Sequence, residues 1–95
     1  MKTIWKFPVG ITQIFELKMP SGAKILSVQV QHELPVIWAL VDSDASPVVR
    51  TFYVRGTGHS SDGLEHADFV GTFQMSDGIF AFHLFVDRDN SDGNT

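Results

Sequence analysis

Apolar and polar residues alternate one by one along most of this chain, and Gly, Pro, Ser and Asp interrupt the alternation at short intervals. Successive side chains of an extended backbone point to opposite faces, so the pattern predicts short β-strands, most with one buried face. The clearest covers 13–19, where Phe15, Leu17 and Met19 alternate with Glu16 and Lys18. Further strands are predicted over 3–9, 24–31, 36–41, 48–55, 67–75 and 79–86. In the first, Pro8 has no N–H to give to a ladder, which places that strand at a sheet edge or ends it there. In 24–31, Leu26, Val28 and Val30 share one face, with Ser27, Gln29 and Gln31 opposite. In 48–55, Arg50 falls in phase with Phe52 and Val54, against Thr51, Tyr53 and Arg55. Straight alternation in 67–75 groups Phe69, Gly71 and Phe73. The runs 36–41 and 79–86 are apolar on both faces, so both are expected to be central strands covered on two sides.

Between the strands lie turn formers: Pro20-Ser21-Gly22, the connector His32-Glu33-Leu34-Pro35, the polar loop 42–47, and Ser76-Asp77-Gly78, whose Asp-Gly pair supports positive φ. No segment carries a capped 3.6-residue period. The expected fold is therefore all-β, with about seven short antiparallel strands in a small barrel or sandwich. One domain is expected over 1–86, followed by a disordered acidic tail over 87–95.

Composition narrows the function. A chain of 95 residues with eight Phe, two Trp and one Tyr can build one core and no second. A sheet this small leaves apolar surface that self-association would cover, so a homo-oligomer is expected. The absence of cysteine removes disulfides, thiolate catalysis and Cys-based metal sites, and favours a reducing, cytoplasmic setting. Met1-Lys2-Thr3-Ile4-Trp5-Lys6 runs into Phe7-Pro8 rather than an apolar stretch, so no signal peptide is read. No apolar run approaches the roughly 20 residues that cross a bilayer, and no membrane role is expected. The formal net charge of −4, with seven scattered Lys and Arg, argues against nucleic acid as a partner.

Several segments carry a resemblance. They are 2–8 (Lys-Thr-Ile-Trp-Lys-Phe-Pro), 19–28 (Met-Pro-Ser-Gly-Ala-Lys-Ile-Leu-Ser-Val), 38–42 (Trp-Ala-Leu-Val-Asp), Arg50-Thr51-Phe52 through Gly56-Thr57-Gly58-His59, Gly71-Thr72-Phe73-Gln74 and Phe82-His83-Leu84-Phe85. Together they resemble a family of small uncharacterised proteins from bacteriophages and bacterial genomes. The resemblance implies a phage or prophage setting, in which small accessory proteins bind a host protein or a host signalling molecule.

The loop Gly56-Thr57-Gly58-His59-Ser60-Ser61 is the leading candidate site. Two glycines around a hydroxyl let backbone approach a ligand and aim successive N–H groups at an anion. Thr57, Ser60 and Ser61 add donors, and His59 adds one that can carry charge. Arg50 and Arg55 precede the loop and suit phosphate or carboxylate, while Tyr53 could stack on a base. The plain alternative is a Gly-rich connector whose Ser and Thr cap its own backbone. His59 and His66 with Asp62, Glu65 and Asp68 admit a metal only in principle, because no rigid helix arranges them. His83, between Phe82 and Leu84, reads as a hydrogen-bonded core or interface histidine. Ser60, His59 and Asp62 lie too close in sequence for triad geometry, so no catalytic residue is assigned. Trp5 and Tyr53 are the aromatics expected at the surface.

These features favour a binding protein over an enzyme: a phage-type accessory protein, possessing no cofactor, that sequesters an anionic small molecule such as a nucleotide-derived signal in the host cell cytoplasm. A protein–protein inhibitor or assembly factor, using a sheet edge or aromatic patch on a host protein, stands second. A small hydrolase built on His59 stands third.

Overall fold

A computed structural model describes residues 1–88. Its order is β1 (Lys2–Pro8), β2 (Ile14–Pro20), β3 (Lys24–Gln31), β4 (Leu34–Asp42), β5 (Pro47–Gly56), β6 (Ala67–Met75) and β7 (Phe80–Asp87). All pairings are antiparallel. They form a three-stranded sheet, β1-β4-β3, and a four-stranded sheet, β2-β5-β7-β6. The expected all-β fold is thus a sandwich. In keeping with Pro8, β1 is an edge strand and ends at that residue, and the doubly apolar runs are the inner strands β4 and β7.

The core fills the space between the sheets. Ile37, Ala39 and Val41 of β4 meet Phe52 and Val54 of β5, Phe73 of β6, and Leu84 and Val86 of β7. Phe52 is fully buried and stacks on Phe15 with ring centroids 5.3 Å apart. Burying a side chain of this size stabilises the fold by roughly 2–3 kcal/mol. Arg50 points into this layer as well, as its phase with Phe52 and Val54 requires, and only 7% of it is exposed. Its guanidinium donates to the Ala23 carbonyl at 3.1 Å and the Asp87 carbonyl at 3.4 Å, so it ties the start of the three-stranded sheet's β3 to the end of β7. At the same end the Ser21 amide donates to the Ser46 carbonyl at 2.8 Å, joining two segments that cross between the sheets.

Three expectations about faces are corrected. In β3 the register slips between Ile25 and Ser27, so Ile25 rather than Leu26 joins Val28 inside, and Leu26 is exposed. In β6 it slips between Phe69 and Gly71. A bulge inserts one residue and inverts the phase beyond it. Phe69 therefore pairs with Phe85 on the outer face and is 59% exposed, while Phe73 lies in the core. Finally, the outer face of β4 is covered only near its start, where Val36 is buried. Ile4 and Leu40 stand opposite each other on its outer face, 56% and 40% exposed, beside a half-buried Trp38. There Lys6 lies 5.8 Å from the Trp38 ring and donates to Gln31 Oε1 at 2.9 Å.

The expected tail is shortened at its start. Asp87 is the last residue of β7, and Arg88 pairs with Asp68 at 3.3 Å. The rest of that expectation concerns 89–95, outside the described residues. Among the described residues no helix is long and apolar enough to cross a membrane.

The two hairpin tips have unusual backbones. His32 and Glu33 form a two-residue turn between Gln31 and Leu34 with φ of 53° and 68°. Such turns favour Asn-Gly, and each larger residue in the left-handed region costs roughly 1 kcal/mol. Ser76, Asp77 and Gly78 repeat the conformation at the β6–β7 tip, with φ of 54°, 55° and 87°.

Candidate functional site

The predicted loop starts at Gly56, the last residue of β5, and continues into the 57–66 connection to β6. Leu64, buried beneath it, pins its second half. Its first half is tied to β7 and to itself: the Thr57 amide donates to the Ala81 carbonyl at 3.2 Å and the His59 amide to the Gly56 carbonyl at 3.0 Å. Gly58 needs the freedom of glycine, whereas at Gly56 a side chain would press on the exposed His59 ring. Gly58 has φ of +88°, and a Cβ on Gly56 would sit 3.1 Å from the His59 ring. The amides of Gly58, Ser60 and Ser61 make no protein hydrogen bond among the described residues. The Ser60 hydroxyl accepts the Asp62 amide at 3.1 Å.

Arg55 is brought to this loop and Arg50 is not. Consecutive odd and even positions of β5 face opposite ways, so Arg50 is enclosed between the sheets while Arg55 stands on the outer face of its own sheet. Arg55 Nη1 donates to the carbonyls of Gln13 at 2.9 Å and Val54 at 3.1 Å. Its Nε and Nη2 have no protein partner among the described residues. Together with Gln13, His59, Ser60 and Asp62 it lines a shallow recess of about 300 Å³. Gln13 enters through the β2–β5 pairing, which local sequence around the loop does not signal. The Asp62 carboxylate lines the same recess and opposes the positive charge of Arg55 there.

Tyr53 stands beside the recess rather than in it. The Arg55 guanidinium lies 5.8 Å from its ring, and its hydroxyl donates to Asp87 Oδ2 at 3.0 Å. That hydrogen bond to a carboxylate pushes the phenol pKa above its ordinary value of 10.0, with desolvation adding to the effect. Trp5 is exposed as expected.

A polar relay next to the loop was partly legible. His83 is hydrogen-bonded as expected, yet it lies on the outer face, because it alternates with the core residues Phe82 and Leu84. Its Nε2 is 2.7 Å from the Thr57 hydroxyl and its Nδ1 2.9 Å from the Thr72 hydroxyl. The Thr57 hydroxyl also lies 3.5 Å from the Ala81 carbonyl; with its proton directed there it would accept from Nε2–H, leaving Nδ1 to accept from Thr72. Thr57 therefore fastens the loop to β7 instead of offering its hydroxyl to a ligand. Among the described residues, no three of His, Asp and Glu gather as a metal site.

Comparison places the chain in a family. Residues 1–94 match the family described as a domain of unknown function, DUF7352. The chain belongs to the DUF7352 family. No curated protein and no solved structure matches it. In this DUF7352 member the recess presents the side chains of Arg55, His59, Ser60 and Asp62.

Proposed function

We propose that this DUF7352 protein is a phage-type accessory protein that binds without transforming its target, sequestering an anionic small molecule such as a nucleotide-derived signal in the host cytoplasm. The observation that carries this reading is the convergence of Arg55, His59 and Ser60 on one recess, beside amides with no protein partner. A guanidinium with unused donors suits a phosphoryl or carboxylate oxygen. Asp62 at the same recess favours a phosphodiester, with one charge per phosphorus, over a terminal phosphate carrying about −1.5 to −2. Arg55, backed by the Tyr53 ring, offers a plane on which a base stacks. Arg50 takes no part in this reading.

Thermal melting against a panel of linear and cyclic dinucleotides tests it. A ligand present at about 100 times its Kd adds about 2.7 kcal/mol, which raises the melting temperature of a domain this size by roughly 10–20 °C. The rise should disappear in Arg55→Ala. A panel without any stabilising member, or stabilisation that survives Arg55→Ala, rejects the reading.

The second reading, a protein–protein inhibitor or assembly factor, is favoured by the outer face of β1-β4-β3, where Ile4, Leu40 and Leu34 are exposed around Trp38. Exposed, contiguous apolar surface marks interfaces, including those between copies of one chain. Leu40→Glu should then abolish self-association or capture of a host protein while leaving the fold intact.

A further inference from the structure

At the hairpin end of the sandwich the two sheets part. Val30 of β3 and Phe80 of β7 belong to the inner faces, since they pair with Pro35 and Met75, yet they are 38% and 55% exposed. Inner-face residues left in water mark a space that the chain does not fill. Between the tips this space forms a cleft of about 660 Å³, floored by Val30 and Met75 and walled by His32, Glu33, Asp77 and Gly78. It runs on, through Val30 and Gln74, into a second groove of about 350 Å³ between Val28, Gln29 and Val30 of β3 and Thr72 and Phe73 of β6. Both strands are sheet edges, and no backbone hydrogen bond joins them. Every second N–H and C=O of each edge strand points away from its partner, so the groove is flanked by two unused ladders.

Charge selects the occupant. The residues lining the cleft include two carboxylates, Glu33 and Asp77, and no lysine or arginine. A side chain with an apolar stem and a cationic head matches the apolar floor and acidic walls together. The tips also hold four non-glycine residues at positive φ, and two of them, Glu33 and Ser76, are residue types that rarely adopt it. Retained strain of this kind points to a role for the residues that bear it.

We propose that this cleft and the β3–β6 groove receive an extended segment of a protein partner, with a lysine or arginine stem on Val30 and Met75 and its charged head between Glu33 and Asp77. Main-chain hydrogen bonds to the strand edges hold the segment, as in other strand additions. The surface is distinct from the Arg55 recess and opposite to it in preferred charge.

Fluorescence anisotropy with a labelled hexapeptide of alternating valine and lysine tests the proposal, beside the same peptide with glutamate for lysine. The lysine peptide should bind saturably, at least tenfold tighter than the glutamate peptide, and more weakly as salt rises. The paired change His32→Asn with Glu33→Gly supplies the preferred turn residues, so it should raise the melting temperature while weakening the lysine peptide at least tenfold. Asp77→Asn should weaken it also. No binding of the lysine peptide, equal binding of both peptides, or undiminished binding by the stabilised variant overturns the proposal.

Discussion

The Tyr53 hydroxyl donates to the Asp87 carboxylate across the β5–β7 pair at 3.0 Å, while the Asp87 carbonyl accepts from Arg50 on the inner side of the sheet. One residue at the end of β7 thereby anchors an outward phenol and a buried guanidinium together.

Tyr53 is the single tyrosine, so its ionisation can be followed alone by ultraviolet absorbance. Its midpoint should lie above 10.0, and Asp87→Asn should bring it down. A folded pKa raised above the unfolded one stabilises the protein below the unfolded value. That contribution is lost as pH rises through the folded value. Denaturant midpoints should accordingly fall on the alkaline side of 10 more steeply in the parent than in Asp87→Asn.

Arg50→Ala should destabilise the domain by about 2–4 kcal/mol in urea titrations, because it removes buried charged hydrogen bonds and leaves the Ala23 carbonyl without this donor. Arg55→Ala removes a partly exposed contact to Gln13 and should cost less than about 1 kcal/mol. Reversal of that order would contradict the assignment of one arginine to the core and the other to the recess.

The two arginines also show what a linear reading can and cannot see. Phase alone placed Arg50 with Phe52 and Val54, and the strand count and most boundaries followed from the same period. Phase failed at Leu26 and at Val70, the residue between Phe69 and Gly71, because a bulge adds a residue without a strong local mark; Gly71 within a strand was the one available hint. The loop could be located from its glycines, but Gln13 reaches it through a pairing between distant strands. The His32-Glu33 turn lacks Asn and Gly and left no signal for its left-handed backbone.

At Gly71 the sheets approach closely across the β3–β6 seam: a Cβ there would stand 3.1 Å from Val28 Cγ1. Gly71→Ala should cost about 1–2 kcal/mol by crowding. In a Val28→Ala background the cost should shrink, and a double-mutant cycle measures that coupling. Additive losses would show that the two side chains do not compete for this space.

Nitrogen-15 spectra should find neutral His83 protonated at Nε2, the tautomer in which Thr57 accepts from Nε2 and Thr72 donates to Nδ1. Thr72→Val should broaden or redistribute the tautomer signals, while leaving the far-ultraviolet spectrum unchanged.

The ties between the sheets are unequally placed. Arg50 to Ala23 and Ser21 to Ser46 fasten one end, whereas the β3 and β6 edges at the hairpin end are joined by no backbone bond. The sandwich is therefore expected to open like a clasp, its free jaws parting more readily than the fastened end. Amide exchange would record this as a gradient of protection along β3, slow near Ile25 and quick near Gln31. A guest could enter that mouth without the host first having to melt.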